Sequence, residues 1–476
     1  MKFDEEHGRA YLAKLRSLGI ETRSIVVMQK GSLAFSHTAK PFSLEFVHPL
    51  YSVTKSFTSV AVGMLKKEGK LGLDEPWIAW FPEYKGAVVD HLFLEVSIRH
   101  LLTMTLGQDR EPYVHNDDDW AMGVIGKEFA HKPGTVFFYN SMCSHLLSML
   151  VQRVSGQKLS AFLSQRLFEP LGIKRWWWEE DRHGHNVGGY GLHLSTIDLA
   201  RFGQCLLDGG YWKGKEVIPT AWVEDATRLQ MQTQPFYPAE STEDRNGYGY
   251  QFWMCAGGGF RCSGLFGQLC YVRPKDSLVV SCSSSTSGSK ALMDPLYEVL
   301  DDGRGMNGML PTIDLTSLPL VDGAAHAGVS ERRLVGRHHC LRNFGNFETV
   351  ELKFFNTESP CACLTLTRDK QAFKVKAGYG RWLGNTTGSA FVGELFPFAT
   401  HSAEEGIRPS WAAAETFACY GWTSPTTLEF SLRELDSTRR TFIRISVDGT
   451  YAVCELWAEG VFGGLSPTKY MMAAKL

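Results

Sequence analysis

The chain has 476 residues, more than the ~100–200 of a single domain, so two or three packed units are expected. Apolar residues make up 44% and charged residues 21%, which excludes a disordered chain or a small disulfide scaffold. The 49 basic and 51 acidic side chains leave a formal charge of −2, and no long Lys/Arg cluster speaks for a nucleic-acid partner. No apolar run reaches the ~18 residues that span a bilayer, and the charged start Met1-Lys2-Phe3-Asp4-Glu5-Glu6 lacks the apolar core of a signal peptide. The eleven cysteines run from Cys143 to Cys454 without a CxxC pair; they read as free thiols in a reducing cytosol, hence a cytoplasmic protein without a membrane partner.

In chain order, Ser24–Met28, Gly31 and Ser32–Phe35 read as a hairpin that opens a sheet. Helical periodicity follows at about 52–68, 97–105, 141–155, 159–168, 195–208 and 220–231. Strand-like runs near 248–255, 268–273 and 277–282 precede a helix near 289–302. Strands at both ends with helices between them predict one sheet completed by distant segments, with a helical insertion. Periodicity lapses over 307–330, which reads as a linker. Beyond it, Val350, Leu352 and Phe354 alternate with polar residues, as do Leu428, Phe430 and Leu432. Ile443, Ile445 and Val447 lead to a hairpin turn at Asp448-Gly449, and Tyr451 and Val453 return. The expected division is 1–306 for an α+β unit, 307–330 for the linker and 331–476 for a separate antiparallel sandwich or barrel.

Ser52-Val53-Thr54-Lys55 is an S-x-x-K tetrad. The same pattern recurs at Ser155–Lys158, Ser287–Lys290 and Ser466–Lys469, so context must decide. Val53, Phe57, Val60, Ala61, Met64 and Leu65 form one apolar helical stripe, with Ser52 at its start and Lys55 one turn on. A helix N-terminus supplies unpaired N–H groups and positive potential to a developing oxyanion. A buried lysine loses basicity and can accept the serine proton. By contrast, Ser155 falls at a helix end and Ser466 precedes a proline.

Further segments join this one. They are Val96-Ser97-Ile98-Arg99-His100-Leu101-Leu102-Thr103-Met104, Pro133-Gly134-Thr135 through Tyr139-Asn140-Ser141, Leu167-Phe168-Glu169-Pro170-Leu171-Gly172-Ile173, and Gly191-Leu192-His193 through Phe202-Gly203. With them, residues 25–305 resemble the serine β-lactamase-related superfamily, nearest to class C β-lactamases, family VIII carboxylesterases and 6-aminohexanoate-dimer hydrolases. The resemblance implies a β-lactamase-like catalytic domain: an antiparallel sheet with helices on its faces plus a helical subdomain.

It also implies roles. Ser52, Lys55 and Tyr139 would be catalytic, with the phenol assisting proton transfer. The family's Y-x-N becomes Tyr139-Asn140-Ser141, so either Ser141 or Asn140 takes the substrate-binding role; spacing from Tyr139 favours Ser141. The third motif corresponds to Cys262-Ser263-Gly264, also substrate-binding, where glycine permits close backbone approach. The amides of Ser52 and Leu265 would form the oxyanion hole. Cys262 stands where relatives that bind carboxylated lactams carry a cationic or polar group, which favours a different ester or amide; it reads equally as a buried small residue. Strand alternation turns Arg261 to the opposite face from Cys262.

Other features read as structural. His183-Gly184-His185 lacks a recognised ligand spacing and is taken as solvated, so no metal is expected. Asp117-Asp118-Asp119 reads as an exposed turn, Cys361 and Cys363 as unrelated thiols, His193 as packed, and Ser195 with Asp198 as a helix cap. Trp176-Trp177-Trp178 either walls a cleft or packs between domains. The expected activity is a cofactor-free serine hydrolase that cleaves an ester or amide of a small molecule or peptide through an acyl-serine. The alternatives are an acyltransferase using the same nucleophile and a silent scaffold, and homo-oligomers are compatible with any of them.

Overall fold

The computed structural model describes residues 2–111, 119–234, 242–286, 288–301, 314–341, 343, 345–356, 358–386, 415–435, 440–459 and 469–476. Ser287, Ser466, Asp117, Asp118 and residues 307–313 of the expected linker lie outside them. The described residues form two compact units. One holds residues up to His37 and from Leu44 to Asp301; the other holds Thr38–Ser43 and the residues from Asp314 onward.

The first unit is built on a six-stranded sheet. Its strands are β1 (Glu21–Gln29), β2 (Ser32–Thr38), β3 (Trp253–Met254), β4 (Phe260–Gly264), β5 (Gln268–Arg273) and β6 (Leu278–Ser285), in the order β2-β1-β6-β5-β4-β3. The pairings β1–β6, β5–β6, β4–β5 and β3–β4 are antiparallel, and the first joins segments more than 200 residues apart. On the sheet lie the N-terminal helix α1 (Glu5–Ser17) and the late helix Lys290–Asp301, joined by the Tyr11 hydroxyl on the Leu292 carbonyl at 3.0 Å. The helix Thr196–Leu207 also packs on it: a Cβ on its Gly203 would meet Cys270 and Val279.

The helical insertion centres on α2 (Thr54–Lys67), whose residues Thr54–Leu65 are all buried. Such a helix must satisfy its polar side chains internally. Ser56, Ser59 and Thr58 donate to the carbonyls of Gln251, Tyr250 and Gly188 at 2.8, 2.7 and 2.8 Å, while Phe57 stacks on Phe202 at 3.9 Å. Beside α2 runs α3 (Ser141–Ser155).

Three expected elements are shorter than their patterns, the helix at 97–105 being confined to Ile98–Leu102. The helix at 220–231 ends at Ala226, because Gln230 and Met231 turn to hydrogen-bond with Tyr248. The strand at 248–255 shrinks to Trp253–Met254, since Tyr250 and Gln251 form a turn that receives the hydroxyls of α2. The tryptophan run builds a small sheet with Leu192–Leu194. Trp178 is buried and bonds the Val187 carbonyl at 2.9 Å, and Trp177 stacks on the buried His193 at 3.6 Å. Ser195 caps its helix through the Asp198 amide, and Asp119 caps Trp120–Ile125.

The second unit is one sheet of ten strands: Gly336–His339, Phe347–Phe355, Cys361–Arg368, Gln371–Tyr379, Leu383–Thr386, Glu415–Ser424, Thr427–Glu434, Arg440–Asp448, Tyr451–Glu459 and Lys469–Lys475. A bridge between Cys340 and Ala474 joins the first strand to the last, so the sheet is nearly a barrel. The alternating residues pair inside: Leu428 faces Ile445, Phe430 faces Ile443, and Ile443 faces Leu456. The hairpin after Val447 turns on Gly449 and Thr450, with Asp448 paired to Tyr451 and Gly449 at a φ of 53°. The expected all-antiparallel pattern has one exception: Gln371–Tyr379 runs parallel to Glu415–Ser424. A parallel pair needs a long connection, which the 35 residues 380–414 provide.

Candidate active site

Ser52 lies in a one-turn 3-10 helix, Tyr51–Val53, that runs directly into α2. Tyr51 before it has a φ of 48°, a left-handed backbone that costs a bulky residue about 1–3 kcal/mol and persists only where the surroundings hold it. They do so here: Leu50 donates to the Leu192 carbonyl at 2.9 Å, and the Tyr51 ring meets Phe266 edge-on at 5.3 Å. Ser52 is partly exposed, and its Oγ meets the buried Lys55 amine.

Lys55, one turn on, is 1% exposed. Its ammonium has three donors, and the structure offers three acceptors: Ser52 Oγ at 2.9 Å, Ser141 Oγ at 3.2 Å and the Gly189 carbonyl at 2.8 Å. Desolvation lowers its pKa to about 7, against the pull of Glu111 and Cys143. The Tyr139 ring covers the amine with its centroid 4.8 Å from Nζ. Burial pushes the Tyr139 phenol above its ordinary value, against a hydrogen bond with Ser52. Desolvation thus shifts Lys55 toward its neutral amine, while burial keeps the Tyr139 phenol protonated.

Ser141 and Asn140 occupy different positions. The Asn140 side chain is buried and caps α3 through the Met142 amide at 2.8 Å, whereas Ser141 is partly exposed beside Lys55. In the third segment, Ser263, Gly264 and Leu265 are partly exposed at the end of β4. A Cβ on Gly264 would lie 2.3 Å from the Leu50 carbonyl oxygen and 3.3 Å from the Ser52 nitrogen, so only glycine lets the strand reach the nucleophile turn. Leu265 follows, and Phe266 takes a left-handed φ of 60°. Cys262 is 1% exposed, paired across the ladder with Cys270, whose thiol it hydrogen-bonds. Arg261 on the opposite face is fully buried, paired with Glu243 at 3.2 Å and with Asp244.

Several neighbours of the site have no counterpart in the sequence motifs. The Gly189 carbonyl on Lys55 belongs to a double glycine, and Cβ atoms on Gly188 and Gly189 would fall 2.2 and 2.8 Å from the Ser144 and Ser141 carbonyl oxygens. That adjacent pair is the signal that could have revealed it. Glu111 accepts the Ser141 amide at 2.8 Å, bringing a carboxylate to the start of α3. Trp253 stacks on Tyr139 at 5.3 Å, and the Arg261 guanidinium lies 5.4 Å from the Trp253 ring. No local pattern announces either contact.

Residues 9–302 match the Beta-lactamase family, well over half of the chain, and the protein belongs to that family. It is similar to the 6-aminohexanoate-dimer hydrolase of Paenarthrobacter ureafaciens, with 27% identity over 292 residues, 55% of this chain and 72% of that one. A family VIII carboxylesterase aligns with a TM-score of 0.50 at 15% identity, over 62% of this chain and 96% of that one. The structure of SurE with D-Leu aligns with a TM-score of 0.51 at 17% identity, over 89% of this chain and 96% of that one. At these identities the two structures show a shared fold. Among the described residues, no helix is long and apolar enough to cross a membrane.

Proposed function

We propose that the protein is a serine hydrolase that cleaves an ester or amide through an acyl-Ser52 intermediate. The observation that carries this reading is the buried Lys55 amine, 2.9 Å from Ser52 Oγ and with a pKa drawn down to about 7. An amine at that poise can take a proton from a hydroxyl at neutral pH.

In acylation Ser52 Oγ attacks the substrate carbonyl carbon and its proton passes to Lys55 Nζ. The tetrahedral oxyanion is held by the amides of Ser52 and Leu265, each worth roughly 10²–10³ in kcat for such a hole. As the scissile bond breaks, the Tyr139 phenol gives its proton to the departing oxygen or nitrogen and is reprotonated from Lys55. A phenol held above its ordinary pKa suits that relay, since it enters the step protonated. Water then attacks the acyl carbonyl, its proton travels back along Tyr139 and Lys55, and the acid leaves with Ser52 restored. No cofactor takes part in these steps. The buried Cys262 supports a substrate other than a carboxylated lactam, because its thiol is engaged with Cys270.

The test is acylation by a fluorophosphonate probe and turnover of short-chain p-nitrophenyl esters, linear amides and nitrocefin. Ser52→Ala is expected to abolish both labelling and turnover. Labelling that survives this substitution would remove Ser52 from the role. A transfer product formed faster than free acid, once an alcohol or amine acceptor is added, would assign acyl transfer instead.

A further inference from the structure

Away from Ser52, three side chains from separate segments converge. His145 lies on α3, and Asp181 and His185 lie in the loop that leads to Gly189. Among the described residues, these are the one group of three or more His, Cys, Asp or Glu side chains with ligand atoms mutually close, all within 4.8 Å. Asp181 Oδ2 lies 3.2 Å from His145 Nε2 and 3.1 Å from His185 Nδ1. A tetrahedral zinc ion with bonds of about 2.0–2.1 Å separates its ligand atoms by about 3.3 Å, so two of the three edges are already near that length. Motif spacing does not reveal the group, because it joins positions 36 residues apart and because His183 is exposed and outside it.

We propose that His145 Nε2, Asp181 Oδ2 and His185 Nδ1 form a structural binding site for one divalent zinc-class ion, separate from the hydrolytic chemistry. The carboxylate is held in place by the backbone, since its second oxygen accepts the amides of His183 and His185, each at 2.9 Å. His145 and Asp181 side chains are 1% and 2% exposed, while His185 is 22% exposed. His185 is thus the side chain through which the group meets solvent, and a water arriving from that side would complete a four-coordinate site. Among the described residues, His145 Nδ1 finds no hydrogen-bond partner. Metal-ligating histidines usually have one, and its loss typically costs 10–100-fold in affinity, so binding weaker than at a fully supported zinc site is expected.

The site would clamp the loop to α3. His145 is one helical turn past Ser141, and Gly189, on the same loop, supplies the carbonyl that receives Lys55. The full chain, stripped with chelator, is to be titrated with Zn²⁺ by calorimetry, and with Co²⁺ while its visible absorption is followed. The expected result is one ion per chain, an intense tetrahedral Co²⁺ band and a raised melting temperature. His185→Ala, at the exposed ligand, should weaken Zn²⁺ binding at least 100-fold, Asp181→Asn likewise, and His183→Ala should change it less than threefold. Should a variant misfold, its circular dichroism will reveal it, and the wild-type Co²⁺ band still decides. No Co²⁺ band in the wild type, or equal Zn²⁺ binding by wild type and folded His185→Ala, would overturn the proposal.

Discussion

Lys55 links chemistry and stability in one side chain. Its folded pKa of about 7 lies below the ordinary 10.5, so between those values the unfolded chain binds more protons than the folded protein. Stability from this group therefore rises with pH across that window, and its penalty is complete below about pH 7. The gap in unfolding free energy between wild type and Lys55→Met should move in favour of wild type by about 2 kcal/mol from pH 7 to 9, at ~1.4 kcal/mol per pKa unit. Denaturant titrations at the two pH values measure it, and a gap that does not move would mean the amine is not desolvated. The same proton sets activity: kcat/KM for a neutral ester should climb through pH about 7 as the amine loses its charge, and Lys55→Met should lose that limb with nearly all turnover. Ser141 and Asn140 separate in the same way. Asn140→Ala removes a helix cap and should cost ~0.5–2 kcal/mol with little change in rate. Ser141→Ala removes a hydroxyl 3.2 Å from Lys55 and should cut kcat/KM about tenfold or more while the melting temperature holds. The opposite pattern, rate lost at Asn140 and stability at Ser141, would reverse the two roles.

At the scale of elements, a strand end and a helix start must meet without a side chain between them. Gly264 has an ordinary extended backbone, so its requirement is steric rather than conformational. A methyl there would press on the Leu50 carbonyl and push β4 from the nucleophile turn, and a displacement near 1 Å at a reacting centre costs about 10²-fold. Gly264→Ala should therefore lower kcat/KM by roughly that factor and slow fluorophosphonate labelling of Ser52, with the fold retained by circular dichroism; unchanged labelling would detach Gly264 from the site. This contact also marks the limit of local reading. The S-x-x-K spacing predicts that Lys55 reaches Ser52, since one helical turn brings them together whatever lies around. The motif segments single out Tyr139, Ser141 and Gly264. The Gly189 carbonyl, Glu111 and the Tyr139–Trp253–Arg261 stack arise only when distant segments close on one another, and no periodicity encodes that. Alternation correctly separates Arg261 from Cys262, yet whether the cysteine face is cleft or core depends on the neighbouring strand, which supplies Cys270.

At the scale of the whole molecule, the described residues form two apolar cores that share no residue. The second was legible as strands, because two-residue alternation survives in Leu428–Leu432 and Ile443–Val447. Its near-closure was not, because strand order rests on the Cys340–Ala474 bridge and on the parallel pairing of Tyr379 with Tyr420. Two cores make a sharp expectation for paired truncations. Phe57 is fully buried in the first and stacked on Phe202 directly beneath the nucleophile helix; Phe430 is fully buried in the second, opposite Ile443. Each change to alanine should cost about 3–5 kcal/mol in its own core. If cooperativity follows the cores, Phe430→Ala will lower one calorimetric transition by several degrees and leave fluorophosphonate labelling of Ser52 at its wild-type rate at 25 °C. Phe57→Ala will lower the other transition and abolish labelling, since the helix that holds Lys55 loses its packing. A single transition displaced equally by both substitutions, with labelling lost in each, would mean that the barrel core and the nucleophile helix unfold as one.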